Sequence, residues 1–188
     1  MAENPPTGPR TAHIRFFAEV NRETINTLIG AVERKLSEGV GRIVLSISSS
    51  GGKVAAGIAG YNFLKGSPVE LMTYNFGNVE SIATVLYCAG AKRLCAPSGR
   101  FLLHGVVANF KSGQYNEPAL RARIDSLQSD RATIARILAE ACGRTMEQVE
   151  QDMLQGRLLT AQEAVAYGLV QAIQPQVVEA GVEVITVL

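Results

Sequence analysis

The stretch Tyr74-Asn75-Phe76-Gly77-Asn78-Val79-Glu80-Ser81-Ile82-Ala83-Thr84-Val85-Leu86-Tyr87 decides how the rest of the chain is organised. An apolar, strand-like run over 69–74 breaks at Gly77, and a helical run over 82–89 begins directly after Ser81. A serine at such a strand-to-helix turn lies at the positive end of a helix, in an exposed bend, as a nucleophilic serine requires. Serine is also a good helix N-cap. The stretch therefore leaves two roles open for Ser81, nucleophile or cap.

The composition is that of an ordinary globular chain. Its 188 residues are 47% hydrophobic and 19% charged, with a net charge of +1, which is enough for one domain with a real core. This charge gives no electrostatic reason to expect a nucleic acid or an anionic membrane as partner. No apolar run approaches the roughly 20 residues that a membrane span needs.

The N-terminal residues and the cysteines give two further predictions. Residues 1–12 are polar and rich in proline, without the apolar segment of a secretory signal, so we expect a disordered N-terminal arm followed by a single domain over 13–188. The three cysteines are odd in number and lack metal-type spacing. They are typical of reduced, buried thiols and predict a cytoplasmic protein without a metal site.

Strands and helices alternate around the central stretch. Strands are predicted at 13–18, 42–47 and 69–74, and helices at 21–38 and 54–64. This β-α-β series predicts an α/β fold with a largely parallel sheet. Further along we expect short strands at 93–95 and 100–104, a loop or extended segment at 106–115 and short helices capped by Thr145 and Thr160. A further strand is expected directly after Gly168-Leu169-Val170, and the apolar tail 182–188 can add one more.

The longest helical pattern covers 117–141. Its apolar stripe consists of Leu120, Ile124, Leu127, Ile134, Ile137 and Leu138. At 1.5 Å per residue the helix is about 37 Å long, more than a chain of this size covers by itself. Part of this helix is therefore expected to pack on another subunit.

A catalytic serine needs a base for its proton and donors for the developing oxyanion. Of the two histidines, His13 lies at the start of the first strand and His104 at the end of a later one. Functional groups of parallel sheets gather at the carboxyl ends of strands, where Ser81, Gly51-Gly52 and His104 all fall. Two glycines let backbone N–H groups point outward. A plain turn at the glycines and a buried structural histidine at 104 remain the alternatives.

Four motifs in order resemble the proteolytic subunit of Clp protease. They are Ser-Ser-Ser-Gly-Gly-Lys-Val-Ala-Ala-Gly at 48–57, Gly-Asn-Val-Glu-Ser at 77–81, Pro-Ser-Gly-Arg-Phe-Leu-Leu-His at 97–104, and Thr-Ala-Gln-Glu-Ala-Val-Ala-Tyr-Gly-Leu-Val at 160–170. The similarity extends over about residues 13–173. It implies a crotonase-like Clp protease fold, a β-α-β spiral with a projecting handle helix at 117–141.

The resemblance also implies a site and an assembly. Ser81 would be the nucleophile, His104 the general base, and the N–H groups of Gly52 and Ile82 the oxyanion hole of a serine peptidase that cleaves peptides or unfolded proteins through an acyl-enzyme. No metal or cofactor is implied. The segment 106–115 would line the substrate cleft. Two stacked heptameric rings would enclose a chamber, with an AAA+ unfoldase or a Clp paralogue as partner.

The chain departs from this family at several positions. Gly156 stands where the family has the aspartate of its triad, and Asp152, Glu80 or a main-chain carbonyl could replace it. Glu80 and Ala83 stand where the family has small residues and glycine, and the N-terminal arm is short. Besides the active peptidase, two readings stay open: a catalytically silent Clp-like regulatory or assembly subunit, and an acyl-CoA enzyme of the crotonase type.

Overall fold

The structure is a computed structural model that describes residues 9–110, 112–175, 178 and 182–188. The first half alternates strictly between strands and helices, as predicted. In chain order the elements are β1 (Thr11–Phe16), α1 (Arg22–Ser37), β2 (Arg42–Ser49), α2 (Val54–Gly66), β3 (Glu70–Glu80), α3 (Ala83–Tyr87), β4 (Lys92–Cys95), β5 (Arg100–Leu103), α4 (Glu117–Cys142), α5 (Met146–Gln155), β6 (Arg157–Thr160), α6 (Ala161–Tyr167), β7 (Ala172–Ile173) and β8 (Val184–Val187).

The strands form one sheet in the order β6-β5-β3-β2-β1-β8, while β4 pairs with both β3 and β7. Among the described strands every pairing is parallel except that of β5 with β6. The predicted α/β class and largely parallel sheet are confirmed. A parallel sheet is covered by helices on its faces, which explains why β2 is buried along nearly its whole length.

The helices begin where their capping residues stand. Asn21 accepts from the N–H groups of Glu23 and Thr24 at the start of α1, and Thr145 and Thr160 form capping boxes at α5 and α6. The apolar faces of these helices join one core with the inner faces of the strands. The largest fully buried side chains in it include Phe16, Leu28, Ile47, Tyr87 and Phe101.

The strand that leads to Ser81 differs from the prediction, because β3 does not end at Gly77. It pairs with β4 over Met72–Asn75 and then with β5 over Asn78–Glu80. Where β3 passes from β4 to β5, side chains accept hydrogen bonds from its backbone N–H groups. Asn75 Oδ1 accepts from Gly77 N at 2.9 Å, and Ser48 Oγ accepts from Asn78 N at 3.3 Å. The glycine therefore bends the strand without interrupting it.

Three further differences concern short elements. β1 begins at Thr11, before the domain boundary that we predicted at 13, and residues 1–8 of the predicted arm lie outside the described ones. β6 was not predicted at all. The helix after Ser81 covers only Ala83–Tyr87. The described residues of 106–115 form no regular strand or helix, in agreement with the predicted loop or extended segment.

The long helix α4 is confirmed. Its buried residues are Ile134, Ala135, Ile137, Leu138 and Ala139, all in its C-terminal half, and Gly143 ends it in a left-handed conformation. The N-terminal half is exposed, with Leu120 and Ile124 at its surface. Among the described helices none is both long enough and apolar enough to cross a membrane.

Candidate active site

Ser81 occupies a sharp turn between β3 and α3. Its φ of +56° is the only positive φ of a non-glycine residue in the part of the chain that the structure describes. The N–H of Ser81 donates to Leu102 O at 2.8 Å, and Thr84 donates to Ser81 O through both its N–H and its hydroxyl. The N-cap of α3 is Ile82, without a side-chain cap bond, so the capping role for Ser81 is wrong. A strained φ at a strand-to-helix turn is typical of an exposed nucleophile.

The two glycines after β2 lie directly against this turn. Gly51 has a φ of +90°, and a Cβ there would stand 2.6 Å from Ser81 Cβ. Gly52 has a φ of +147°, and a Cβ there would overlap the carbonyl of Val20. Val20 holds the loop through two backbone bonds of 2.7 Å, to Gly51 O and from Lys53 N. Glycine is therefore required here by close approach to Ser81 as well as by backbone conformation.

Two backbone N–H groups lie in the cleft that contains Ser81. Neither Gly52 N–H nor Ile82 N–H donates to an acceptor among the described residues. Ile82 is buried, where a backbone N–H without a protein acceptor is uncommon, whereas Gly52 is exposed and its N–H faces solvent. Paired N–H groups of this kind can bind the oxygen of a carbonyl or an oxyanion. Both residues line the cleft that contains Ser81.

His104 follows the last residue of β5 and is half-buried. Its Nδ1 lies 2.7 Å from the carbonyl oxygen of Gly105. A carbonyl can only accept a hydrogen bond, so this contact places the proton on Nδ1 and leaves Nε2 with a free lone pair. That tautomer is the one a general base needs. His104 is half-buried and lines the cleft that contains Ser81.

These residues meet in one cleft of about 90 Å³. Gly52, Ser81, Ile82 and His104 all line it, together with apolar walls formed by Val54, Leu103, Val106, Ile134, Leu138 and Met153. No hydrogen bond joins Ser81 Oγ to His104 within the described chain, and such bonds often tighten only when substrate is present. No carboxylate is among the described lining residues, which disfavours the acyl-CoA enzyme, whose chemistry uses carboxylates.

The acidic candidates for the third position lie elsewhere. Asp152 Oδ1 accepts from Arg157 Nη1 at 2.6 Å, and Asp152 Oδ2 accepts from the Tyr167 hydroxyl at 2.8 Å. Glu80 borders a separate depression with Phe17 and is not among the residues that line the cleft. The structure thus brings neither carboxylate to His104, whose Nδ1 is held by a main-chain carbonyl.

Tyr167 is the centre of the cluster that holds Asp152. Burial, followed by the hydrogen bond to Asp152, raises the pKa of Tyr167 above its ordinary value, so the hydroxyl remains a donor. The guanidinium of Arg144 lies 3.9 Å from the centre of the Tyr167 ring. The part played by Arg157 escaped the sequence analysis, because β6 was not recognised. Tyr167 stood within the quoted motif, but its partner could not be read from it.

Gly156 ends α5 with a φ of +69°. Antiparallel pairing matches Leu103 of β5 with Arg157 of β6, so the next pair in that register would be His104 and Gly156. Gly156 itself lies one residue beyond the last observed pair, and a Cβ on it would meet no described atom within 4 Å.

The remaining predicted features can be placed in the same way. His13 lines a different pocket, with Arg42 and Lys92, outside the cleft. Among the described residues no group of three or more His, Cys, Asp or Glu is arranged to hold a metal ion. Cys88 and Cys95 are buried, and Cys142 is partly buried.

Comparison with known proteins agrees with this architecture. The sequence model of the family described as Clp protease matches residues 10–177. The ATP-dependent Clp protease proteolytic subunit 2 of Corynebacterium glutamicum is 34% identical over 156 residues, which is 81% of this chain and 76% of that protein. The protein of the same name from Corynebacterium efficiens is 33% identical over 156 residues, which is 81% of this chain and 77% of that protein.

Proposed function

The chain belongs to the Clp protease family, and we propose that it is a serine peptidase that hydrolyses peptides or unfolded proteins through an acyl-enzyme on Ser81. The observation that carries this proposal is the cleft that gathers Ser81, His104 and the two unbonded N–H groups of Gly52 and Ile82. A nucleophile, a base and oxyanion donors are the three parts that acyl transfer requires.

The reaction follows from these positions. His104 Nε2 accepts the hydroxyl proton of Ser81 while Oγ attacks the scissile carbonyl carbon. The N–H groups of Gly52 and Ile82 donate to the tetrahedral oxyanion. The imidazolium then gives its proton to the leaving amine, which breaks the peptide bond and leaves an ester on Ser81. A water molecule, deprotonated by His104, hydrolyses that ester and restores the serine.

The third member of the site is the main-chain carbonyl of Gly105, which orients the imidazole but carries no full charge. In serine proteases the replacement of the aspartate lowers turnover by about 10⁴, much of it through the wrong tautomer. The Gly105 carbonyl preserves the tautomer and stabilises the imidazolium only weakly. We therefore expect a working peptidase with slow turnover.

The assembly forms part of the same proposal. We expect a homo-oligomer of heptameric rings, stacked as a tetradecamer in the cytoplasm, with an AAA+ unfoldase or a Clp paralogue as partner. The exposed apolar residues Leu120 and Ile124 of α4 support a subunit contact at this helix.

The test is labelling with a fluorophosphonate, which reacts covalently with activated serines, read by intact mass. We expect one adduct on the parent protein and none on Ser81→Ala. Ser50→Ala is the matched control, because Ser50 is an exposed serine next to Gly51 in the neighbouring groove and should label normally. Equal labelling of Ser81→Ala and the parent would contradict the proposal.

A second function is favoured by the geometry around Gly156 and Asp152. The carboxylate of Asp152 is bonded to Arg157 and Tyr167, and no other carboxylate reaches His104 among the described residues. A regulatory or assembly subunit without its own activity would have such a site. It predicts a folded, oligomeric protein that does not label and that assembles with an active Clp paralogue. Degradation of casein by the purified chain alone would rule this function out.

A further inference from the structure

We propose that a groove beside the catalytic cleft selects peptides with a basic side chain, lysine or arginine, near the scissile bond, and that Asp130 recognises this side chain. The inference rests on the peptidase function proposed above. It goes further by naming the class of substrate that the same site prefers and the residue that determines this preference.

The groove is continuous with the cleft that contains Ser81. It has a volume of about 630 Å³, and the two cavities share Gly52, Val54, Val106 and Val107. Its walls come from residues 19–21 and 50–55, from the segment 106–109 and from α4. Binding sites of this volume hold ligands the size of a short peptide. A peptide with its scissile carbonyl at Ser81 can therefore extend into this groove.

Helix α4 places Asp130 at the end of the groove that is nearer to the cleft. Ile134, a wall of the cleft, and Asp130, a wall of the groove, are four residues apart and share one face of the helix. At 1.5 Å per residue they are separated by about 6 Å along the helix axis. An extended peptide advances about 3.3 Å per residue. Asp130 is thus expected to meet a side chain about two residues from the scissile bond.

Asp130 is a carboxylate without a partner in the described part of the chain. It is half-buried, and no hydrogen bond or ion pair joins it to a described residue. A partly desolvated charge is stabilised when an opposite charge comes into contact with it. Leu127, one turn earlier on α4, is also half-buried and lines the same groove. Its apolar surface suits the methylene stem of a lysine or arginine whose charged end reaches the carboxylate.

The other charges around the groove are exposed. Glu19 and Lys53 line it with opposite signs, and Arg123 lies seven residues before Asp130 on α4. That spacing is about 10 Å along the axis, beyond the Debye length of about 8 Å at physiological ionic strength. Arg131, next to Asp130 in sequence, forms an ion pair with a glutamate of α5. Asp130 is the only charged residue that is half-buried among the described residues lining the groove, so it is the least screened of them.

The experiment compares fluorogenic peptides that differ by one charge. Each pair carries lysine or norleucine, which has a similar stem without the ammonium group, at one of the three positions on either side of the scissile bond. We expect kcat/KM to be about fivefold higher for lysine at a position that reaches Asp130, and this preference to weaken in 1 M NaCl. A glutamate peptide of the same series should be cleaved more slowly than the norleucine peptide.

Three variants assign this preference to one residue. Asp130→Asn keeps the shape of the side chain without its charge, and its lysine-to-norleucine ratio of kcat/KM should fall to about one. Asp130→Lys should reverse the preference in favour of glutamate, which a merely structural role would not do. Asp125→Asn is the matched control, because Asp125 is an exposed carboxylate of α4 that lines neither the cleft nor the groove. It should retain the preference for lysine in full.

The outcomes separate this inference from the proposed function. Equal cleavage of lysine and norleucine peptides by the parent would overturn the inference alone, as would a lysine preference that persists in Asp130→Asn. A preference for glutamate in the parent would also overturn it and would assign the groove to Lys53 and Arg123. Labelling of Ser81 by the fluorophosphonate without cleavage of any lysine peptide would count against it in the same way. Absence of both labelling and hydrolysis would instead overturn the peptidase function, and this inference with it.

Discussion

At the scale of single residues, the backbone of Ser81 is the distinctive feature of the proposed site. A φ of +56° brings Cβ close to the following carbonyl oxygen, which costs roughly 1–2 kcal/mol for any residue except glycine. Leu102 O and Thr84 hold the residue in this conformation from both sides. The strain is thus maintained by the surrounding fold, at a residue that lines the cleft.

This strain predicts an unusual order of stabilities. Ser81→Gly should be more stable than Ser81→Ala by about 1 kcal/mol, because glycine escapes the Cβ penalty, which outweighs its larger entropy loss on folding. Both variants should be inactive. Urea denaturation followed by circular dichroism measures the difference. An alanine variant as stable as the glycine variant would show that the backbone relaxes and that no strain is held at this turn.

The partly buried thiol of Cys142 gives a prediction with a pH dependence. Burial raises the pKa of Cys142 to about 11, so its thiolate is scarce at pH 8. Alkylation by iodoacetamide should therefore become about tenfold faster per pH unit from pH 8 to 10, whereas an ordinary thiol levels off above about pH 9. Peptide mass spectrometry of the native protein, with the unfolded protein as control, measures both curves. A plateau for Cys142 near pH 9 would contradict the raised pKa.

The same shift has a consequence for folding. An acid whose pKa is higher in the folded state holds its proton there after the unfolded chain has lost it. Stability is complete below the unfolded pKa, about 8.5 for a thiol, and falls as pH rises toward 11. Burial raises the pKa of Cys95 to about 12 and that of Cys88 further, so both thiols act in the same direction.

At the scale of elements, α2 packs closely against Ile82, whose N–H is the proposed oxyanion donor. Gly57 in α2 lies so close to the Ile82 side chain that a Cβ on it would overlap. We expect Gly57→Ala to cost about 1–3 kcal/mol, as other overpacked sites do, and to lower kcat by displacing Ile82.

Gly30→Ala is the matched control, since Gly30 lies within α1 and a Cβ there meets nothing within 4 Å. This change should stabilise the protein by about 0.5–1 kcal/mol through the higher helix propensity of alanine, with kcat unchanged. Thermal unfolding and peptide hydrolysis test the pair. Similar effects of the two substitutions would show that the close approach of Gly57 to Ile82 affects neither stability nor kcat.

The elements also show how far local sequence patterns determine the fold. The helices after Asn21, Thr145 and Thr160 and the parallel β-α-β half follow from caps and periodicity, which depend on neighbouring residues. The course of β3 beyond Gly77 depends on Ser48, which lies far away in sequence. β6 escaped prediction because four residues, Arg157–Thr160, become a strand only through pairing with β5.

For the candidate site, too, some features were predictable from local sequence patterns and others were not. The spacing of strand ends was enough to predict that Ser81, His104 and the Gly51-Gly52 loop meet, because parallel strands end at one edge. The hydrogen bond of His104 to the Gly105 carbonyl and the commitment of Asp152 to Tyr167 are local choices of side-chain direction. No pattern of residue types encodes such choices, so several groups remained possible as the third member.

At the scale of the whole molecule, α4 connects the outer surface to the cleft. Ile134 and Leu138 in its buried half are walls of the cleft beside Ser81. In its other half Leu120 and Ile124 are 41% and 52% exposed, on an apolar stripe that a single chain leaves uncovered. An unpartnered stripe of this kind on a projecting helix is typical of a subunit interface. We therefore expect assembly and activity to depend on the same helix.

The last prediction tests this dependence. Ile124→Glu introduces a charge into the proposed contact and should convert the assembly into smaller species, because a buried unpaired carboxylate is costly. Ser129→Glu adds the same charge at an exposed position of α4 and should leave the assembly intact. Light scattering coupled to gel filtration measures the mass, and hydrolysis of a short peptide reports the cleft. If α4 is ordered by its neighbour, Ile124→Glu loses hydrolysis together with mass. An unchanged mass would place the subunit interface elsewhere, and full activity in the smaller species would show that the cleft forms without the assembly.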